Sequence, residues 1–439
     1  MFKVTKAIFL GAFLVIFCLI GLIFVNNLRI VLTRSELSSS PVEDEEKIQE
    51  QGIDREMSSS LEQKLPLKDA LLSRINNLKE VEERGDVLSF PRYKAIKPPV
   101  KEAMFYEELP GGRVKCKLCP WECTIKPGDR GICKVRLNQD GRLVTLCYSR
   151  PCTIHVDPIE KKPFYHFLPG EEAFSIATAG CNLGCKFCQN WQISQRRPEE
   201  LDSFYIPPDG IIRLAKRSRS KIIAFTYSEP VVFYEYMLDI AKLAKGEGIK
   251  TVVVTGGFIN PEPLRLLCRY VDAIKVDLKG FNEKYYKKVV LGKLKPILEA
   301  MKIIKEEGVH LEIVYLVVPI LNDDSEEIKE MCRWIKENLG RDIPLHFSRF
   351  FPAYKMKDYP PTPLSTVERL RKIAIDEGLR YVYVGNVPPG HPGESTYCPE
   401  DGKLLIGRAG YEVVVNNIKD GRCKFDGTPI YGIFESSNQ

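Results

Sequence analysis

The chain has 439 residues, 28% of them charged and 44% hydrophobic, and its net charge of +6 is spread along its length. That is room for two or three domains with ordinary globular cores, and no block is basic enough to argue for nucleic acid. Fourteen cysteines against five histidines argue against an imidazole-based metal enzyme; their clustering points to metal thiolates in a reducing compartment rather than to disulfides.

Ala7 to Val25 is a run of 19 residues without a charge, enough for one helix to cross a bilayer. It exceeds a signal-peptide core and no Ala-x-Ala follows it, so residues 1–34 are expected to be an uncleaved, single-pass transmembrane anchor. Lys3, Lys6 and the free amine on one side nearly balance Arg29 and Arg34 on the other, so charge does not orient it. Thiolate metal chemistry needs reductant and little oxygen, which places the catalytic part in the cytoplasm. Residues 35–100 read as a tether: Ser35 to about Ser60 is rich in Ser, Glu, Asp and Gln. Leu61 to Glu83 has the periodicity of a short amphipathic helix.

A Cys-rich segment over 101–165 follows. Cys116-Lys-Leu-Cys119-Pro-Trp-Glu-Cys123, then Pro127-Gly128 and Cys133, forms a C-x2-C-x3-C-x9-C group punctuated by turn residues. Four thiolates so close in sequence make a credible metal site. Zinc and a [4Fe–4S] cluster both fit that ligand set, and spacing does not choose between them.

The most informative run is Cys181-Asn-Leu-Gly-Cys185-Lys-Phe-Cys188. Three thiolates on one tight loop converge on a single cluster, and a cubane of four irons then keeps one iron open, the mark of a catalytic rather than a closed site. Phe174-Ser-Ile-Ala-Thr-Ala reads as a buried strand just before Gly180, so the loop sits where α/β proteins build active sites. Gln189-Asn190-Trp191 continues it with groups suited to a cofactor. Two other readings exist: a ferredoxin-like cluster completed by Cys152 or Cys268, and part of a zinc knuckle.

Strands are expected at 174–179, 221–227, 250–255, 272–278, 310–318 and 343–348, with helices between them such as Val232 to Gly246 and Leu291 to Glu307. Six strand–helix units suggest a parallel sheet, and a partial (β/α)6, TIM-like barrel over 166–384. Its strand ends carry Glu229 in Tyr-Ser-Glu-Pro, Gly256-Gly257, Asp277 and Lys279 in Val-Asp-Leu-Lys, and His346. As a set around one mouth these read as a polar pocket facing the cysteine loop.

The triad, with Phe187 before its last cysteine, resembles the signature of the radical S-adenosylmethionine (SAM) superfamily. Val156-Asp-Pro-Ile-Glu-Lys-Lys-Pro-Phe-Tyr-His-Phe-Leu-Pro-Gly170, ahead of Ala179 to Trp191, is similar to the radical SAM enzymes of AmmeMemoRadiSam systems, which themselves resemble pyruvate formate-lyase activating enzymes. The likeness covers roughly residues 101 to 435. It implies that Cys181, Cys185 and Cys188 hold a [4Fe–4S] cluster whose open iron takes SAM. One-electron cleavage of SAM then gives a radical that abstracts hydrogen from a protein or small molecule. It also implies that Glu229 meets the SAM amino end, that Asp277 and Lys279 lie along the methionine moiety, and that His346 is near SAM. Phe187 and Asn190 are expected in the cofactor site. Implied partners are an electron donor such as flavodoxin or ferredoxin, and AMMECR-type and Memo-type proteins or a glycyl-radical enzyme.

Over 385–439 the resemblance implies a zinc-ribbon-like module with two C-x2-C knuckles. The chain has Cys398-Pro-Glu-Asp401 and Cys423-Lys-Phe-Asp426 instead, and is expected to be a degenerate ribbon that has lost its metal. The competing functions are a membrane-anchored iron–sulfur electron carrier without SAM chemistry, which would need neither Glu229 nor Asp277 and Lys279, and a zinc-stabilised scaffold.

Overall fold

The computed structural model describes residues 100–434. The expected anchor, the tether and the Leu61–Glu83 helix lie outside them. Among the described residues no helix is long and apolar enough to cross a membrane.

One eight-stranded sheet organises the described chain. Its strands are β1 (Thr153–Pro158), β2 (Glu172–Ala177), β3 (Ile222–Phe225), β4 (Lys250–Thr255), β5 (Ala273–Asp277), β6 (His310–Val317), β7 (Leu345–Arg349) and β8 (Val382–Gly385). Spatial order follows chain order, and β1 and β8 are the unpaired edges of an open sheet. β1 and β2 are antiparallel, with Val156 opposite Phe174. The other pairs are parallel, as where Val253 faces Ile274 and Ile313 faces Leu345.

The connections from β2 onward carry α1 (Pro208–Arg217), α2 (Tyr234–Gly246), α3 (Pro261–Cys268), α4 (Leu294–Glu306), α5 (Ser325–Asn338) and α6 (Leu364–Asp376). Strands covered on both faces need near-continuous apolar runs; β3 reads Ile-Ile-Ala-Phe and is buried throughout. The helices need only a stripe. In α5 that stripe is Ile328, Met331, Cys332 and Ile335, and Asp324 caps the helix by accepting from the amides of Glu326 and Glu327.

Seven parallel strands replace the six expected, because β8, Val-Tyr-Val-Gly, joins the far edge. β1 lies inside the expected Cys-rich segment yet pairs with β2, so the boundary drawn at 165 falls between two paired strands. Upstream, Arg113–Cys116 pairs with Tyr106–Leu109 and Thr124–Ile125 in a small antiparallel sheet that holds the first cysteine group. After β8, the hairpin Leu404–Ala409/Glu412–Asn416 packs over its own core. That core joins Cys398, Leu405, Ile406, Cys423 and Ile430 to Tyr165, Tyr381 and Tyr383.

Candidate active site

The loop after β2 turns sharply at Gly180, whose φ is +95°. A Cβ there would lie 2.5 Å from Val135 Cγ1 and 2.7 Å from the carbonyl oxygen of Cys133, so only glycine lets this loop press against the first cysteine segment. The loop then delivers Cys181, Cys185 and Cys188 to a cavity of about 530 Å³ at the C-terminal ends of the parallel strands, the usual place for an α/β site.

Phe187, Asn190, Glu229, Asp277 and Lys279 line that cavity with the triad. Cys152 and Cys268 do not, so neither supplies a fourth ligand here. Burial pushes the Cys185 thiol up to about 12 against the pull of Lys279. Burial, with the charge of Glu229, also raises Cys181 well above its ordinary value. Thiols so placed ionise only when a cation takes the proton's place. Leu183 N donates to Cys181 Sγ at 3.3 Å, and Cys188 Sγ shares a hydrogen bond with Ser194 Oγ at 3.2 Å.

Glu229 caps the turn after β3, and its carboxylate is buried. Oε1 accepts from Val231 N at 3.2 Å and Thr255 Oγ1 at 2.5 Å, and Oε2 from Gly256 N at 2.8 Å. Burial raises its pKa in spite of those donors. At the end of β5, Asp277 stands between two lysines: its Oδ1 pairs with Lys275, and its Oδ2 lies 3.4 Å from Lys279 Nζ. Burial pushes the Asp277 carboxyl up, but the two ammonium groups outweigh it and hold the group below its ordinary value.

Some pocket groups had no role in the sequence reading. Lys275 was visible as an anomaly, a lysine inside a buried parallel strand. Lys162 lies within the quoted 156–170 stretch and lines the cavity; its Nζ bonds Asp157 Oδ2 at 2.5 Å and Tyr227 OH at 3.0 Å. Ser228 Oγ is buried in the lining and carries no hydrogen bond. Spacing alone offers no signal for it.

His346 is not among the lining residues. It shares a face of β7 with Ser348, which does line the cavity, but its Nε2 is 2.8 Å from Glu312 Oε2 and its ring stacks on Tyr383. Glu312 also holds His310 and the amides of Tyr165 and His166. The imidazole is therefore committed to a buried network outside the pocket.

Cys116, Cys119, Cys123 and Cys133 wall a separate enclosed void together with Trp121, Arg136 and Asn182. Asn182 is the neighbour of Cys181, and its carbonyl accepts from Trp121 Nε1 at 2.7 Å, so the two cysteine sites share a wall. Arg136 Nε and Asn182 Oδ1 are buried there without hydrogen bonds. Among the described residues, one group of three or more metal-ligating side chains brings its donor atoms within 4.8 Å of one another; it is Cys398, Asp401, Cys423 and Asp426, not either of these cysteine sets.

The family model for the Radical SAM superfamily matches residues 175–335, which span the triad, Glu229, Asp277 and Lys279. The uncharacterized protein MJ0808 of Methanocaldococcus jannaschii is 45% identical over 333 residues, covering 75% of this chain and 99% of that protein. The pyruvate formate-lyase-activating enzyme of Clostridium pasteurianum is 24% identical over 212 residues, 44% of this chain and 86% of that enzyme. Among solved structures, a domain of pyruvate-formate lyase-activating enzyme from Bacteroides vulgatus matches at a TM-score of 0.34 and 19% identity, covering 37% of this chain and 98% of that domain. With the triad at the strand ends and these sequence matches together, the chain belongs to the radical SAM superfamily.

Proposed function

We propose that the chain binds a [4Fe–4S] cluster through Cys181, Cys185 and Cys188 and SAM beside it, and abstracts hydrogen from a substrate. The observation that carries this reading is that the three cysteines share one cavity with a buried carboxylate, Glu229, and with the Lys275–Asp277–Lys279 set. An electron carrier would need none of these charges. When bound, the cluster and SAM supply reductive cleavage of the sulfonium and a radical that takes a hydrogen atom.

The protein's own groups suit that ligand. SAM ends in an ammonium and a carboxylate, and Glu229 and Lys279 offer one charge of each sign. Ser228 Oγ is an unpaired buried hydroxyl facing the same space. Asp277 keeps Lys275 and Lys279 paired, which holds both ammonium groups in place while water is excluded. Phe187 lies under Lys279, with Nζ 6.0 Å from the ring centroid, and Asn190 Nδ2 donates to the Tyr227 carbonyl at 2.9 Å, which fixes that wall.

The finer reading is an enzyme of the AmmeMemoRadiSam type, related to glycyl-radical activases, on an open sheet that serves as the partial barrel. The four thiols of Cys116, Cys119, Cys123 and Cys133 hold a second iron–sulfur cluster; the wall they share with the triad supports this. A flavodoxin or ferredoxin supplies electrons, AMMECR-type and Memo-type proteins or a glycyl-radical enzyme are the partners, and residues 1–34 tether the enzyme to the membrane with its catalytic part in the cytoplasm.

The test is anaerobic reconstitution of the full chain with iron and sulfide, then SAM and dithionite. 5′-Deoxyadenosine is expected from wild type and not from Cys185→Ala. A reconstituted wild type that makes none refutes the reading.

A further inference from the structure

The module after β8 contains one small structure twice. In Cys398-Pro-Glu-Asp401-Gly402, the amide of Gly402 donates to the Cys398 carbonyl at 3.0 Å and the Cys398 amide donates to the Lys403 carbonyl at 2.9 Å. In Cys423-Lys-Phe-Asp426-Gly427, Gly427 donates to the Cys423 carbonyl at 2.9 Å and Cys423 to the Thr428 carbonyl at 2.9 Å. Both glycines are left-handed, at φ +71° and +76°, which is what a reversal at that point needs.

The carboxylates are oriented alike. Asp401 Oδ1 accepts from Lys403 N at 3.0 Å, and Asp426 Oδ1 from Thr428 N at 2.9 Å. Each aspartate is thus fixed by the amide two residues on. Cys398 and Cys423 are buried, 3% and 1% exposed, with the two carboxylates at the surface beside them. One donor atom from each of the four lies within 4.8 Å of the others.

Two carboxylates and two thiols face one point: Cys398 Sγ donates to Asp426 Oδ2 at 3.4 Å, and Lys403 Nζ lies 3.2 Å from Asp401 Oδ2. The sequence pattern was expected to mark a ribbon that had lost its metal. The geometry points the other way, because aspartate at the fourth position of each turn still presents an oxygen donor where a ligand is needed.

We propose that Cys398, Asp401, Cys423 and Asp426 bind one zinc ion in a tetrahedral shell of two sulfurs and two oxygens. Zinc accepts both donor types at ~2.3 Å and ~2.0–2.2 Å. Calcium and magnesium prefer oxygen alone and more ligands, and a cubane needs thiols set farther apart than these. Binding joins two thiols and two carboxylates to Zn²⁺ and releases two protons, so no redox partner is involved.

The clip has a place in the enzyme. It closes the two turns that flank the hairpin Leu404–Ala409/Glu412–Asn416, and that hairpin's tip carries Tyr411 to the cavity shared with the triad. Zinc therefore secures the module that forms one rim of the active site.

The experiment uses the full chain, purified without added metal, with zinc counted by mass spectrometry and its shell read by X-ray absorption at the zinc edge. Wild type is expected to carry zinc, and Asp401→Asn/Asp426→Asn to carry about one equivalent less. The wild-type-minus-variant spectrum should show sulfur and oxygen in equal number. Both substitutions are near-isosteric, and the wild-type spectrum needs no variant at all. A zinc-free wild type, equal zinc in the two proteins, or a shell of sulfur alone would overturn the assignment. None of those outcomes bears on 5′-deoxyadenosine formation, so the metal clip and the SAM reading fail separately.

Discussion

Gly256 and Glu229 meet at the ends of adjacent strands. The Gly256 amide donates to Glu229 Oε2 at 2.8 Å, and a Cβ on Gly256 would come within 3.3 Å of that oxygen and 2.8 Å of Leu183 Cδ1. The glycine therefore keeps open the space between the cysteine loop and the buried carboxylate. Gly256→Val is expected to weaken SAM binding at least tenfold, ~1.4 kcal/mol, while the triad keeps its iron. Equilibrium binding of SAM to reconstituted protein checks this; unchanged affinity would remove Gly256 and its neighbour Glu229 from the SAM site.

Asp277 holds two lysines, and Lys275 is the more deeply buried of them. Asp277→Asn leaves that buried ammonium without its anion; Asp277 itself is 30% exposed, so the cost is expected below the ~3–5 kcal/mol of a fully buried pair. The Asp277 carboxyl lies below its ordinary value in the fold. Its contribution is therefore complete above the unfolded value of about 3.9 and is lost as pH falls through the lower folded value. Urea unfolding of wild type and variant should show the full gap at neutral pH and a shrinking one in acid. A gap that widened in acid would contradict the pairing.

Lys162 behaves in the opposite sense. Burial pushes its ammonium down to about 8, although Asp157 and its hydrogen bond pull it up, and the charge sits 4.3 Å from the Tyr227 ring centroid on the pocket wall. Above about pH 8 the Lys162 charge is lost from that wall. The rate of 5′-deoxyadenosine formation should fall along a basic limb there, and Lys162→Arg should move the limb upward, since arginine stays charged. A limb that stays in place in the arginine variant would assign it to another group.

Much of this site was legible because its chemistry is local in sequence. The triad fits in eight residues, and Glu229, Asp277 and Lys279 follow strands whose apolar runs are unmistakable. What escaped depends on partners distant in sequence. β1 reads Thr-Ile-His-Val-Asp-Pro, polar enough for an edge, and only its register with β2 shows it belongs to the main sheet. β8 alternates aromatic and β-branched residues, a strand signal that the six-unit count passed over. His346 has the right strand and the right face, but Glu312 on the neighbouring strand claims its ring one layer below the pocket. The two aspartates of the last module looked like losses in a linear pattern, whereas their oxygens converge with two thiols in the fold.

The first cysteine group yields the remaining prediction. Gly180 presses the triad loop against Cys133, and Asn182, next to Cys181, lines the void of the first group. Burial pushes the Cys119 thiol up to about 12 and raises Cys123 and Cys133 as well, so these groups ionise only against a metal centre. A second cubane there, as proposed above, gives roughly eight irons per reconstituted chain. Cys119→Ala/Cys123→Ala should retain about four. With dithionite, which reaches the triad directly, that variant should still form 5′-deoxyadenosine. With a protein electron donor it should lose most of its rate, the outcome expected of a second cluster that passes electrons to the triad. Metal counting and the two reductants together decide the matter: four irons, with one zinc more than Cys119→Ala/Cys123→Ala carries, would make the site a single-ion one, and equal loss with both reductants would make its role structural.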